Sequence, residues 1–159
     1  TTAARGNPIT VNEWGPLELI RARRVLEGEI ASLAASVAKR KDIAAMRLAL
    51  ADMVRDAEAG TLPIEGDRAF KSAIGQSTGN TGLIATIHGF WDSRRGPLFE
   101  RLGGYFETVA SWRSAIAEHT AILDAIVAHD APGARAAMHA HMDKSHTRFS
   151  ASWRRAKAS

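Results

Sequence analysis

The sequence predicts an all-α protein, an antiparallel bundle of six or seven helices. Three observations carry that expectation. Apolar residues recur at alternating gaps of three and four, the period of one face of an α-helix. Turn signals rather than strand-like alternation separate these runs: Gly60, Pro63, Gly79-Asn80, Gly96-Pro97 and Gly103-Gly104. The runs themselves are rich in Ala, Leu, Glu and Arg and poor in Pro, a composition that favours helix.

Taken in order, residues 1–13 contain Gly6 and Pro8, show no periodicity and read as a flexible linker remnant. The domain proper is expected over 14–157. Pro16 suits a first helical turn. From Leu17 to about Lys39 the apolar stripe Leu19, Leu26, Ile30, Leu33 and Val37 is expected to face inward. Asp42 is expected to cap a second helix, with Ile43, Met46, Leu50 and Met53 inward and Gly60 as its stop. After a loop containing Pro63, a short helix runs from Asp67 to Ser77 with Phe70 and Ile74 inward. Asn80 caps the next helix, through Leu83, Ile84, Ile87 and Trp91, which Gly96-Pro97 breaks. A short helical piece over Leu98–Leu102 is expected before Gly103-Gly104. The helix from Tyr105 to Val127 places Tyr105, Val109, Trp112, Ile116, Leu123 and Ile126 on one face. The last helix opens after Asp130, with Ala134, Met138, His141, Ser145 and Phe149 inward.

Composition narrows the function classes. At 45% hydrophobic and 24% charged residues, the chain can bury a core and is not disordered. The absence of Cys excludes disulfides, thiolate metal sites and a cysteine nucleophile, and fits a cytoplasmic protein. No stretch approaches 18 uncharged apolar residues, so no membrane span is expected. The net charge of +4 is scattered, and no recognition-helix motif is present. Direct nucleic-acid binding by these residues is therefore not expected.

Two histidines carry the chemistry. His119 and His141 fall on the inward stripes of the two long C-terminal helices, where apolar residues are the rule. Each alone reads most simply as a core histidine bonded to a carbonyl or hydroxyl. With Asp67, at the start of a short helix, they form an oxygen and two nitrogen donors, a set that suits Zn²⁺, Ni²⁺, Mn²⁺ or Fe²⁺. The plainer alternative for Asp67 is a carboxylate favoured by the helix dipole, with Lys71 as its i,i+4 partner.

Five motifs in order now carry a resemblance. They are Arg23-x-x-Leu26-Glu27-x-x-Ile30, Asp67-x-x-Phe70, Gly79-Asn80-x-x-Leu83, Glu118-His119-x-x-Ile122, and Asp130 followed by an Ala-rich run to Met138-x-x-His141. This order resembles the FCD domain, the C-terminal effector-binding domain of the FadR subfamily of GntR transcription regulators, over about residues 15–150. The resemblance implies a homodimer that senses a small organic or sugar acid. It also implies a winged helix-turn-helix, which these residues do not contain, as the DNA-binding part of a longer regulator. Metal-binding members use an Asp and three His. Asp67, His119 and His141 match three of these positions, and Lys71 stands at the fourth.

A protonated lysine cannot ligate a metal, and its charge opposes a dication. The resemblance therefore implies no required cofactor, or a divalent metal (Zn, Ni or Mn) at a weakened site. Lys71 would then meet the effector carboxylate together with Arg23, with hydroxyls near Asn80, Arg94, His119 or His141. The need for a second anion beside Lys71, with only Asp67 one turn away, is the argument for an acid. The stretch Trp91-Asp92-Ser93-Arg94, followed by Pro97, is similar to family branches that sense hexuronates. The alternative function is a small metal-dependent hydrolase using Asp67, His119 and His141. Glu118, the best extra base, is expected to point away from the site because adjacent helical residues diverge.

Overall fold

The computed structural model describes residues 15–93 and 107–158, and among these every regular element is a helix. The elements are α1 (Pro16–Val37), α2 (Arg40–Glu58), α3 (Ile64–Ser77), α4 (Thr81–Ser93), α5 (Val109–Val127) and α6 (Ala131–Ala158). The all-α expectation holds. The Gly96-Pro97 break, the expected piece over 98–102, the Gly103-Gly104 break, Tyr105, Arg94 and residues 1–13 lie outside the described residues.

Local chemistry sets the helix ends. Pro16 occupies the first turn of α1, where its missing N–H costs nothing. α2 starts earlier than the sequence suggests: Lys39 is its N-cap residue, and Asp42 sits three residues in, its carboxylate accepting from the Lys39 amide at 2.8 Å. Gly60, at φ +78°, closes α2 in the left-handed region that a side chain would strain. α3 opens at Ile64, three residues before the expected start, so Asp67 falls in its first turn. The Asn80 side chain accepts from the Leu83 amide and starts α4. Thr108 caps α5 through the Ser111 amide, and Asp130 caps α6 through the Gly133 amide.

α1 and α6 form the longest contact of the bundle, and α5 packs on α6, α2 and α1. One continuous core joins them, built on Ile30, Met46, Met53, Phe70, Ile122, Ile126, Met138 and Phe149. Each such side chain contributes about 1.5–3 kcal/mol when fully buried. Close approach is made by small residues. A Cβ at Gly28 of α1 would fall 2.4 Å from His139 Nε2 of α6, and one at Gly66 of α3 would fall 2.6 Å from Met53 Cγ of α2. The second approach seats the first turn of α3, with Asp67, deep in the bundle.

α1 corrects the expected stripe. Leu19 and Ile30 are buried as expected, but Leu26, Leu33 and Val37 are 42%, 40% and 42% exposed, and Ile20, Arg23, Glu27, Ala31, Ala34 and Ala35 are buried instead. At about 100° per residue, the buried face is rotated roughly a quarter turn from the stripe of large apolar residues. The reason is steric and electrostatic. Alanines and Gly28 let α6 approach, and the polar pair Arg23–Glu27 has partners on that side.

Candidate functional site

The inward faces of α1, α3, α5 and α6 meet around a chain of buried polar groups. It begins on α1, where Arg23 Nε donates to Glu27 Oε2 at 2.6 Å. Burial alone would lower the pKa of Arg23, but the Glu27 carboxylate outweighs it and holds the guanidinium above its ordinary value. Glu27 Oε1 lies 3.8 Å from Lys71 Nζ of α3, and Asp67 Oδ1 lies 3.7 Å from the same ammonium. Lys71 is 1% exposed, so its charge depends on these partners.

The two histidines meet edge to face, with ring centroids 4.7 Å apart. His119, fully buried, directs Nε2 to Asp67 Oδ1 and Nδ1 to the Ala115 carbonyl, both at 2.6 Å. Phe70 covers its other side at 4.9 Å. His141 donates from Nδ1 to Glu118 Oε1 at 2.6 Å, which leaves the Nε2 lone pair for Lys71 Nζ at 3.3 Å. Burial first, and the Lys71 charge second, push His141 well below the ordinary imidazole value, so it stands neutral at pH 7. Arg148 of α6 closes the chain with a two-pronged contact to Glu118, at 2.8 and 2.9 Å. Burial would raise Glu118, but hydrogen bonds from Arg148 and His141 more than offset it and take its pKa to about 2.

Arg23, Asp67, Lys71, His119 and His141 thus converge, and all five line one cavity of about 60 Å³. That is room for roughly four waters. Its other wall is apolar, made by Ile20, Trp112, Ala115 and Phe149, and Glu107, Ser111, Ser145 and Arg148 also face it. Asn80 does not line it: its side chain is spent on the α4 cap and is exposed. Arg94 lies outside the described residues.

Three site residues go beyond the sequence reading. Glu118 does not point away. It is buried beside His119, because α5 is covered on adjacent sides and two successive residues can both face inward. Glu27 supplies the second anion at Lys71 and appeared beforehand only as a member of the first-helix motif Arg23-x-x-Leu26-Glu27-x-x-Ile30. Arg148 follows Ser145 and Phe149 around the helix, and only the pairing with Glu118 reveals it. Glu27 also corrects the argument from charge. Lys71 already has two carboxylates within 4 Å, Glu27 and Asp67, so it does not await a missing anion.

The donor set does not fit a metal. Asp67 Oδ1 is taken by His119 Nε2, and the Lys71 ammonium faces the His141 lone pair. Among the described residues no group of three or more His, Asp or Glu side chains is arranged to hold an ion.

The model of the FCD domain matches residues 18–144, most of the chain. The chain belongs to the FCD family. The Uxu operon transcriptional regulator of Escherichia coli K12 is 33% identical over 135 residues, which cover 83% of this chain and 52% of that protein. The Exu regulon transcriptional regulator of the same strain is 29% identical over 143 residues, 88% of this chain and 54% of that one. Among solved structures, E. coli McbR/YncC matches with a TM-score of 0.75 at 25% identity, over 86% of this chain and 64% of that one. The fold is also that of a Streptococcus agalactiae GntR structure, at TM-score 0.67 and 19% identity. The chain spans about half the length of the curated relatives it matches. This FCD domain is therefore akin to parts of transcription regulators rather than to enzymes, and the hydrolase alternative has no support among them. No helix among the described residues is long and apolar enough to cross a membrane.

Proposed function

We propose that this FCD domain is the sensor of a cytoplasmic GntR-type transcription regulator, with residues 14–157 as the domain and 1–13 as a linker to a winged helix-turn-helix. Its effector is a small organic or sugar acid taken into the cavity between α1, α3, α5 and α6. The observation that carries this reading is the cavity itself: three cationic side chains from three helices, Arg23, Lys71 and Arg148, border one space.

Because these cations already have carboxylate partners, an acid must displace one. The exchange swaps a bond within the bundle for a bond to the ligand, so ligand binding and helix packing become coupled. At about 60 Å³ the cavity admits a small hydroxy acid more readily than a hexuronate, which requires the helices to part. Lys71 serves as the fixed cation where metal-binding relatives hold an ion, so no metal is needed. Arg23, Lys71, His119 and His141 are the contacts to the acid, and Asn80 is withdrawn from that set. Dimerisation is supported by the exposed α1 stripe of Leu26, Leu33 and Val37, which offers an apolar strip for a second copy.

The test is thermal unfolding of the chain, at fixed concentration, with L-lactate, D-glucuronate, D-galacturonate, Zn²⁺, Ni²⁺ or Mn²⁺, and with a chelator. A saturating acid is expected to raise Tm with chelator present, by the ordinary linkage of binding to folding. A rise with metal alone, or with acid only when metal is present, refutes metal-free sensing.

A further inference from the structure

The cavity contains a polar group that no described residue satisfies. Trp112 of α5 lines it, is 7% exposed, and its indole Nε1–H has no hydrogen-bond acceptor. Every other polar side chain discussed at this site has a partner, so the exception is specific. A buried donor without an acceptor forfeits its hydration and gains nothing in return. Such a group is retained at a cost unless something else supplies the acceptor.

We infer that the Trp112 indole N–H reads a hydroxyl or ring oxygen of the acid that binds in this cavity. The inference rests on the effector reading above and sharpens it. Trp112 precedes His119 by seven residues, two turns along the same face of α5, or about 10 Å along the helix axis. Ile20, Ala115 and Phe149 make the apolar wall of the cavity, and the acceptor side chains that also line it, Glu107, Ser111 and Ser145, do not take the indole N–H. The acidic end of a ligand meets Lys71 and Arg23, and its oxygen-bearing end meets Trp112. The class so defined is a hydroxy acid rather than a simple alkanoate. A site that donates to a ligand hydroxyl discriminates sharply against the analogue that lacks it.

The test compares the chain with W112F, which removes the N–H and keeps an aromatic ring. Both are titrated calorimetrically with L-lactate, D-glucuronate, D-galacturonate and, as the alkanoate control, propionate. The hydroxy acid that binds best is expected to lose at least about fivefold in affinity in W112F, and its advantage over propionate should shrink with it. In ¹⁵N-labelled wild-type chain, the Trp112 indole proton, assigned from its own through-bond and through-space correlations, should move downfield on saturation. This second measurement decides the matter even if W112F folds poorly. Equal affinities in the two proteins, or an indole proton that stays put while the acid binds, overturns the role of Trp112 and leaves the effector reading intact. If wild type binds none of the acids, the effector reading fails and this inference with it.

Discussion

At the scale of single residues, the unusual feature is the density of buried charge. Glu27 holds both Arg23 and Lys71. Removing one partner of a buried pair costs more than the pair contributes, because a charge is left without compensation. Glu27→Gln should therefore destabilise the chain by about 3–5 kcal/mol in urea unfolding. A loss under about 1 kcal/mol would mean the network is hydrated and loose. Lys71→His restores the fourth ligand type beside Asp67, His119 and His141. It should raise affinity for Zn²⁺ or Ni²⁺ in calorimetry with and without chelator. If the parent already binds either ion tightly, Lys71 does not stand in for a metal.

Acid should weaken the fold through two of these groups. His141 is depressed in the folded chain and returns to 6.5 on unfolding, so below that pH the unfolded chain binds the extra proton. Glu118 falls from 4.5 to about 2 on folding, and its contribution is present above 4.5 and lost towards pH 2. Urea midpoints should hold steady from pH 8 to 7 and fall between pH 6.5 and 5. His141→Gln should flatten that fall, and an unchanged slope would show that other groups cause it.

At the scale of elements, the site is held by how the helices begin and approach. Asp130 caps α6, the helix that carries His141 and Arg148, by accepting from Gly133 N at 2.9 Å. Asp130→Ala should cost about 1 kcal/mol of unfolding free energy, the usual worth of such a cap. A change within a few tenths would show that packing against α1 alone holds the start of α6. Most elements were legible beforehand because a 3.6-residue period and cap residues are local signals. The inward stripes of α5 and α6 were legible too, since each presents one broad face to the core. α1 was legible only in part: Leu19 and Ile30 face the core, but the rest of its apolar stripe does not. A period gives a face, but only the neighbours decide whether that face or the next is covered.

At the scale of the whole molecule, the exposed α1 stripe demands a reason. Leu26, Leu33 and Val37 lie within about 40° of one another around the helix. With Val25, 61% exposed on the same element, they leave an apolar strip in water. If that strip is the seam of a homodimer, Leu33→Glu should shift the chain from dimer to monomer in sedimentation at tens of micromolar, without lowering its helicity. A wild-type chain that sediments as a monomer at that concentration would remove the case for dimerisation.

The sequence by itself determined the helical class, most helix boundaries and five of the convergent groups: Arg23, Asp67, Lys71, His119 and His141. These depend on spacing within one helix or on motif order, and both are written along the chain. Tertiary structure decided what those groups do to one another. Glu27 and Arg148 join them from α1 and α6, Glu118 turns inward, Asn80 is left at a helix start, and the Trp112 N–H finds no acceptor among the described residues. The physical reason is that charge balance and hydrogen-bond satisfaction are sums over neighbours distant in sequence. No periodicity within one helix encodes which carboxylate will reach a lysine two helices away.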